Sequence, residues 1–212
     1  MSREALNATY SSFLIPPTDI FLGSATLGKG RFGTVYAGLW RQPARAGSGM
    51  APGRPVAVKM INGLGDAALT AVLFEARLLS TMQHAHVVRL LAVSEAHQPV
   101  MLVMELCEGG DLLSMLRHGR PAFGQEAGPS ALSLRAQLDL AAQAASGVAY
   151  LHSMLCVHRD VAARNVLVAR PDSVCGASGV QLKLGDLGLT RRLAAEEGGE
   201  DSAYYVSVGA CS

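Results

Sequence analysis

The stretch HRDVAARN packs His158, Arg159, Asp160, Arg164 and Asn165 into eight residues directly after the apolar run Leu155-Cys156-Val157. An apolar run that ends in such a cluster is either a solvated turn or a place where charge is held for chemistry. Two other stretches bear on the choice. In GKGRFG, the glycines Gly28, Gly30 and Gly33 lie between strand-forming residues and are followed by Thr34-Val35. A dinucleotide-binding turn leads from a strand into a helix, so this one is of another kind. Glycines at these positions let the backbone fold over an anionic phosphate chain where a Cβ would clash. In Val56-Ala57-Val58-Lys59 a lysine sits on an apolar strand. It either snorkels from an edge or holds its ammonium against phosphate oxygens with Glu75 as its counter-charge, because a desolvated lysine needs a carboxylate nearby.

These residues must be carried by regular elements. Residues 1–18 read as a polar leader closed by Pro16-Pro17, with structure starting near Asp19. Ile20 to Trp40 reads as a two-stranded hairpin around the glycines, 41–55 as a flexible Arg/Pro/Gly/Ala insertion, and Val56 to Ile61 as a third strand. From Asp66 to Gln83, Leu69, Val72, Leu73, Ala76 and Leu79 keep helical spacing, with Glu75 off the apolar stripe. Val87 to Val93 and Val100 to Glu105 have strand length, and Gly109-Gly110 breaks the chain before a short helix, Asp111 to Arg117. Ser133 to His152 reads as a largely buried helix whose apolar stripe is Leu134, Leu138, Ala141, Ala145 and Val148. Val166 to Val168 and Val180 to Leu184 read as two strands, followed by Gly185-Asp186-Leu187-Gly188. The order describes an α+β chain in two lobes, a β-rich one and then a mainly helical one.

Composition narrows the function classes. A net charge of +1 over 212 residues, 17% of them charged, offers no basic excess that would argue for nucleic acid. Cys107, Cys156, Cys175 and Cys211 form no C-x-x-C pair, which argues against a zinc knuckle or a secreted disulfide framework and suits a reducing, intracellular setting. No run of about 18 apolar residues marks a membrane span.

GKGRFGTV, VAVK, the helix bearing Glu75, HRDVAARN and Asp186-Leu187-Gly188 occur in the order and rough spacing of the protein kinases, and the chain resembles that family from Asp19 to Ser212. Ala162-Ala163-Arg164 resembles the tyrosine kinases, receptor-type ones in particular, because serine/threonine kinases carry a lysine where Ala162 stands. The resemblance implies a two-lobed fold: a complete β-rich lobe over 19–105 with its insertion at 41–55, preceded by a juxtamembrane-like segment 1–18, and a hinge with part of the helical lobe over 106–212. It implies an ATP-dependent protein tyrosine kinase, with ATP and Mg²⁺ as cofactors and a protein bearing tyrosine as substrate. Asp160 would accept or orient the hydroxyl proton, Asn165 and Asp186 would hold the metal, Lys59 with Glu75 would meet the phosphates, and Arg164 would shape the tyrosine pocket. His158 would pack below the site. The nucleotide would lie among Leu27, Gly28, Gly30, Gly33, Val35, Ala57, Lys59 and Leu167, with backbone groups of Glu105 to Cys107 meeting the adenine. Met104 would guard a back pocket or simply fill the core, and Asp111 would meet the ribose or cap its helix.

Two departures modify this expectation. Leu187 stands where the family usually has phenylalanine, a loss of ring volume worth roughly 1 kcal/mol. The family's A-P-E motif does not appear by Ser212, so the reading expects an incomplete helical lobe belonging to a fragment, an isoform or a partial gene model. Tyr204 and Tyr205, beside Glu196, Glu197, Glu200 and Asp201, suit phosphorylation, after which the loop would pair with Arg159. The reading places the chain in the cytoplasm, as an intracellular part of a membrane receptor or free of one, and leaves room for a kinase–kinase dimer. A catalytically inactive module that binds nucleotide or a partner kinase is the alternative. Against it stands the presence of Lys59, Asp160 and Asp186, at least one of which such modules usually lack.

Overall fold

A computed structural model describes residues 13–30, 33–41, 53–61, 76, 79–94, 100–118, 132–169, 179–187 and 190–192. Glu75, Arg31, Phe32, Gly188, Tyr204, Tyr205 and most of the insertion, 42–52, lie outside them, as do most of the helix read over 66–83 and the lobe boundary at 212. Ala76 and residues 79–81 of that helix are helical.

Six strands form the first sheet: β1 (Leu14–Ile15), β2 (Ile20–Gly30), β3 (Gly33–Trp40), β4 (Arg54–Ile61), β5 (Leu90–Ser94) and β6 (Val100–Glu105), in the spatial order β1-β5-β6-β4-β3-β2. The expected hairpin is β2–β3, closed by Gly30 opposite Gly33. β4 lies between β3 and β6, with Lys59 opposite both Val35 and Leu102, and Ala57 opposite both Ala37 and Met104. Because side chains alternate along a strand, Val56 and Val58 enter a core with Ile20, Ala92, Met101 and Val103. Ala57, Lys59 and Ile61 face the other side, and Ile61 joins the main core.

That main core continues without a break into the second half of the chain, through Leu112, Leu140, Leu151, Val166, Leu182, Leu184 and Leu187. Its elements are α1 (Leu112–His118), α2 (Leu134–Ser153), β7 (Cys156–Val157), β8 (Val166–Ala169), β9 (Gln181–Leu184) and β10 (Arg191–Arg192). β8 pairs with β9 and β7 with β10, each as a separate two-stranded sheet. Leu187 is fully buried in the core, so the smaller side chain keeps its apolar contact.

Four expectations need correction. Structure begins before Asp19: β1 runs parallel to β5, with Val93 N donating to Phe13 O at 2.8 Å, and Leu14 packs on the main core. Pro16-Pro17 does not forbid this, because Pro17 opens a 3-10 turn at a position where its missing N–H costs nothing. β4 begins at Arg54, two residues earlier than read, since Pro55 can sit opposite Leu39. β5 begins only at Leu90. Val87 and Val88 instead join the other half of the chain, where Val88 N donates to Leu184 O at 2.9 Å.

The fourth correction concerns α2. Its bounds agree with the reading, and Ser133 caps it by accepting from Ala136 N at 3.2 Å. Its buried face is Ala136, Leu140, Gln143, Gly147 and Leu151, whereas Leu134 is 70% and Leu138 62% exposed. An alanine-rich helix has more than one stripe at helical spacing, and the choice between them is made by what packs against it. A Cβ on Gly147 would lie 2.5 Å from His86 O and 2.9 Å from a Leu184 methyl, so this glycine lets the helix press against the β9 region.

Candidate active site

The polar cluster begins where β7 ends. His158 is buried, its Nε2 lies 3.0 Å from Gly185 O, and its Nδ1 accepts from Asp160 N at 3.3 Å. A carbonyl only accepts and an amide only donates, so the ring carries its proton on Nε2. His158 thus packs beneath the site as expected, holding the start of the loop against the segment that leads to Asp186. Arg159 follows at φ +64°, with its side chain exposed.

The next turn arms Asp160. Residues Ala163–Asn165 form a 3-10 turn, which brings Arg164 and Asn165 back toward the aspartate. Arg164 Nη2 pairs with Asp160 Oδ1, and Asn165 Nδ2 donates to Asp160 Oδ2 at 2.8 Å and to Asp160 O at 2.9 Å. The Asn165 amide first, and the Arg164 guanidinium second, hold the Asp160 carboxyl below the usual carboxylate range. With its nitrogen committed to Asp160, Asn165 has its amide oxygen as the atom able to meet a cation. Asn165 O in turn accepts from Gly185 N at 2.8 Å, which seats this turn beside Asp186.

Asp186 has φ +52° and a side chain 56% exposed, and Lys59 Nζ lies 3.8 Å from its Oδ1. This pairing joins β4 of the first sheet to the end of β9. Lys59 is itself buried, so it does not snorkel into solvent from a sheet edge. Asp186 and Asn165 together offer hard oxygen donors, which suit magnesium: that ion takes one or two carboxylates, keeps several waters and fills the rest of its shell with phosphate oxygens. No group of three or more His, Cys, Asp or Glu that could hold a metal occurs among the described residues.

The expected nucleotide residues divide. Val35, directly opposite Lys59, and Ala57, two residues before it, share one face of the sheet. Leu167 on β8 packs over Gly185, whose Cβ position lies 3.2 Å from its Cδ1. Leu27 is half-exposed on β2, and Gly28, opposite Val35, has open space where a Cβ would stand. Gly33 is required for another reason than a ligand: a Cβ there would lie 2.1 Å from Met60 O. Met104 is half-buried against the main core.

At the junction of the lobes, Glu105 N is taken by Arg89 O at 3.1 Å, while its carboxylate Oε1 accepts from Arg89 N at 2.8 Å and pairs with Lys183 Nζ at 2.9 Å. Cys107 is a neutral thiol pushed up to about 12, by burial first and then by the Glu105 carboxylate. Asp111 caps α1: its Oδ1 accepts from Ser114 N at 2.9 Å and its Oδ2 from the Ser114 hydroxyl at 2.7 Å. Those bonds hold its carboxyl below the usual range.

Two supporting residues escaped the sequence reading. Lys183 alternates with apolar neighbours as a solvent-facing residue would, yet it is buried on Glu105. Gln143 was hidden by the wrong choice of stripe on α2. A glutamine at i+3 from Leu140 and i−4 from Gly147 was the available signal.

The comparisons agree with this geometry. The family model for protein tyrosine and serine/threonine kinases matches residues 23–207. The chain is 40% identical over 166 residues to the tyrosine-protein kinase transforming protein ros of UR2 avian sarcoma virus, covering 78% of this chain and 39% of that one. It is 35% identical over 192 residues to the transforming protein Fps of Fujinami sarcoma virus (90% and 18%) and over 198 residues to the human tyrosine-protein kinase Fer (93% and 20%). The chain therefore spans well under half the length of these relatives. No helix among the described residues is long and apolar enough to cross a membrane. With a lysine and an aspartate brought together from two lobes beside an Asp-Arg-Asn turn, and a family match over most of its length, the chain belongs to the protein tyrosine and serine/threonine kinase family.

Proposed function

We propose that the chain is the ATP-binding and phosphoryl-transfer part of a protein tyrosine kinase, acting with Mg²⁺ on a protein tyrosine. The observation that carries this reading is the approach of Lys59 to Asp186 beside Asp160, Arg164 and Asn165. Bound Mg²⁺ and ATP would supply the electrophilic phosphorus and neutralise charge on the phosphates.

The chain's own residues position and stabilise. Val35, Ala57 and Leu167 bracket the adenine, with Leu27 at the rim and backbone groups of Glu105 and Cys107 facing its edge. Gly28 and Gly30 let the loop approach the phosphates, and Lys59, 3.8 Å from Asp186, presents positive charge to them. Asp186 and Asn165 hold the metal. Asp160, held by the Asn165 amide and the Arg164 guanidinium, orients the tyrosine hydroxyl and receives its proton late in transfer. Arg164, 58% exposed, uses the part of its fork not on Asp160 to shape the acceptor pocket. Tyr204 and Tyr205 are the sites at which phosphorylation would order the following loop against Arg159. In this reading the chain works where cytoplasmic ATP is available.

The test is transfer of the terminal phosphoryl group from ATP to a tyrosine-containing copolymer by the 212-residue chain. Lys59→Met is expected to lower the rate at least ~100-fold and Asp160→Asn ~1,000-fold. Undiminished transfer in Lys59→Met would refute the assignment.

A further inference from the structure

Gln143, buried on the inner face of α2, does for β9 what a neighbouring strand would do. Its Oε1 accepts from Leu182 N at 2.8 Å and its Nε2 donates to Val180 O at 3.0 Å. Nε2 also donates to Asp139 Oδ2 at 3.0 Å, one helical turn earlier. These partners dictate the amide's orientation, because a flipped amide would face one donor with a donor and two acceptors with an acceptor.

β9 needs that support. It is four residues long; among the described residues β8 is the one strand paired along it, with a single further bridge from Leu184 to Val87, and an isolated two-stranded pair is marginal in water. Leu182 is buried, so without Gln143 its amide would lack a partner. Further along, Leu184 N donates to His86 O at 2.9 Å, and Gly185 is held between Asn165 O and the His158 ring. Asp186 follows directly, in a positive-φ conformation that few non-glycine residues adopt. A slip of one residue in β9 would turn Leu182 and Leu184 out of the core and displace Asp186 by about 3.3 Å.

We propose that Gln143 is a positioning residue for the metal-holding aspartate: from the helix side it sets the register of β9, so that Asp186 meets the metal–nucleotide complex beside Asn165. The inference rests on the nucleotide and magnesium reading above. Gln143 touches no substrate and acts through the Val180–Leu182 backbone that leads to Asp186.

The experiment measures binding of a fluorescent methylanthraniloyl-ADP to the 212-residue chain, once with Mg²⁺ and once with EDTA. Gln143→Met keeps the side-chain length and removes both clamps. Gln143→Glu keeps an acceptor for Leu182 and sets a carboxylate against Val180 O and Asp139. Each variant is expected to lose roughly tenfold or more in affinity for the magnesium–nucleotide complex, the range typical of residues that orient metal ligands. Affinity for metal-free nucleotide, which depends on Val35, Ala57 and Leu167, is expected to stay within about twofold, and Gln143→Glu to be the weaker binder of the complex. Asp139→Ala, a milder change that removes one of the amide's two acceptors and leaves the bonds to Leu182 N and Val180 O, gives a smaller loss of the same kind. It serves where a Gln143 variant no longer melts cooperatively.

Equal losses with and without Mg²⁺ would mark a purely structural role and overturn the proposal, as would an unchanged magnesium advantage in the variants. A wild-type chain that binds neither form would overturn the nucleotide reading itself, and needs no variant to detect.

Discussion

The ammonium of Lys183 lies 2.9 Å from the carboxylate of Glu105, which also accepts from the amide of Arg89 at 2.8 Å. The last strand of the first sheet is thus pinned to the strand that delivers Asp186, across the junction of the two lobes. Both side chains are largely shielded, at 11% and 20% exposure, so the pair is expected to behave as a partly desolvated one.

Removing one member leaves the other charge without compensation in a shielded site. Lys183→Met or Glu105→Leu alone is expected to cost about 3 kcal/mol, and the double variant Glu105→Leu/Lys183→Met much less than the sum. Denaturant unfolding of the four chains closes the cycle, and additive losses would mean that the pair is not coupled.

Gly147→Ala raises intrinsic helix propensity by about 1 kcal/mol and on that ground alone would stabilise α2. The new Cβ would nevertheless meet His86 O at 2.5 Å, and that atom belongs to backbone bonded to Leu184 N. A net loss of about 1–3 kcal/mol is expected, read as a lower thermal midpoint. An increased midpoint would show that α2 does not sit this close to β9.

His84 predicts a pH dependence. Its ring stacks on Tyr150 of α2 at 4.6 Å, and its Nδ1 accepts from His86 N at 3.2 Å. Partial burial first, then the neighbouring His86 and the Lys183 ammonium, hold the ring below the ordinary histidine range. The unfolded chain therefore takes up the proton first. Stability is whole above the ordinary value of about 6.5 and is lost as the pH falls below it, until the folded ring also protonates. Thermal midpoints from pH 8 to 5 should fall more steeply for wild type than for His84→Phe, which keeps the stack. Parallel curves would remove His84 as the cause.

Asp160 and Arg164 make a prediction about rate. The guanidinium helps keep the Asp160 carboxyl low, so the ionised form persists into acid. Arg164→Ala is expected to move the acid limb of the pH profile of kcat/KM to higher pH, besides lowering the rate. Because the pair is exposed, the global stability of Arg164→Ala should stay within about 0.5 kcal/mol of wild type. A slower rate with an unmoved acid limb would assign Arg164 to the acceptor pocket alone.

Leu14 tests the unexpected start of the fold. Leu14→Glu places a charge against the main core at the edge of the sheet, and a loss of about 2 kcal/mol in unfolding free energy is expected. No loss would mean that β1 does not cover β5 in solution.

The sequence by itself determined what depends on near neighbours. The hairpin around Gly28 and Gly30, the full extent of Val100–Glu105, the extent of α2, and the tight cluster from His158 to Asn165 all follow from residue type and spacing over a few positions. The order of the motifs determined the family for the same reason, because each motif is a local arrangement with its own chemistry. Tertiary structure decided which of two helical stripes on α2 is buried, that Lys183 on an alternating strand points at Glu105, that Val87 and Val88 serve β9 and not β5, and that Leu14–Ile15 closes the sheet edge. In each of these, residue type and spacing over a few positions fit more than one local arrangement. The choice falls to a partner distant in the chain that offers a buried contact or satisfies a buried amide.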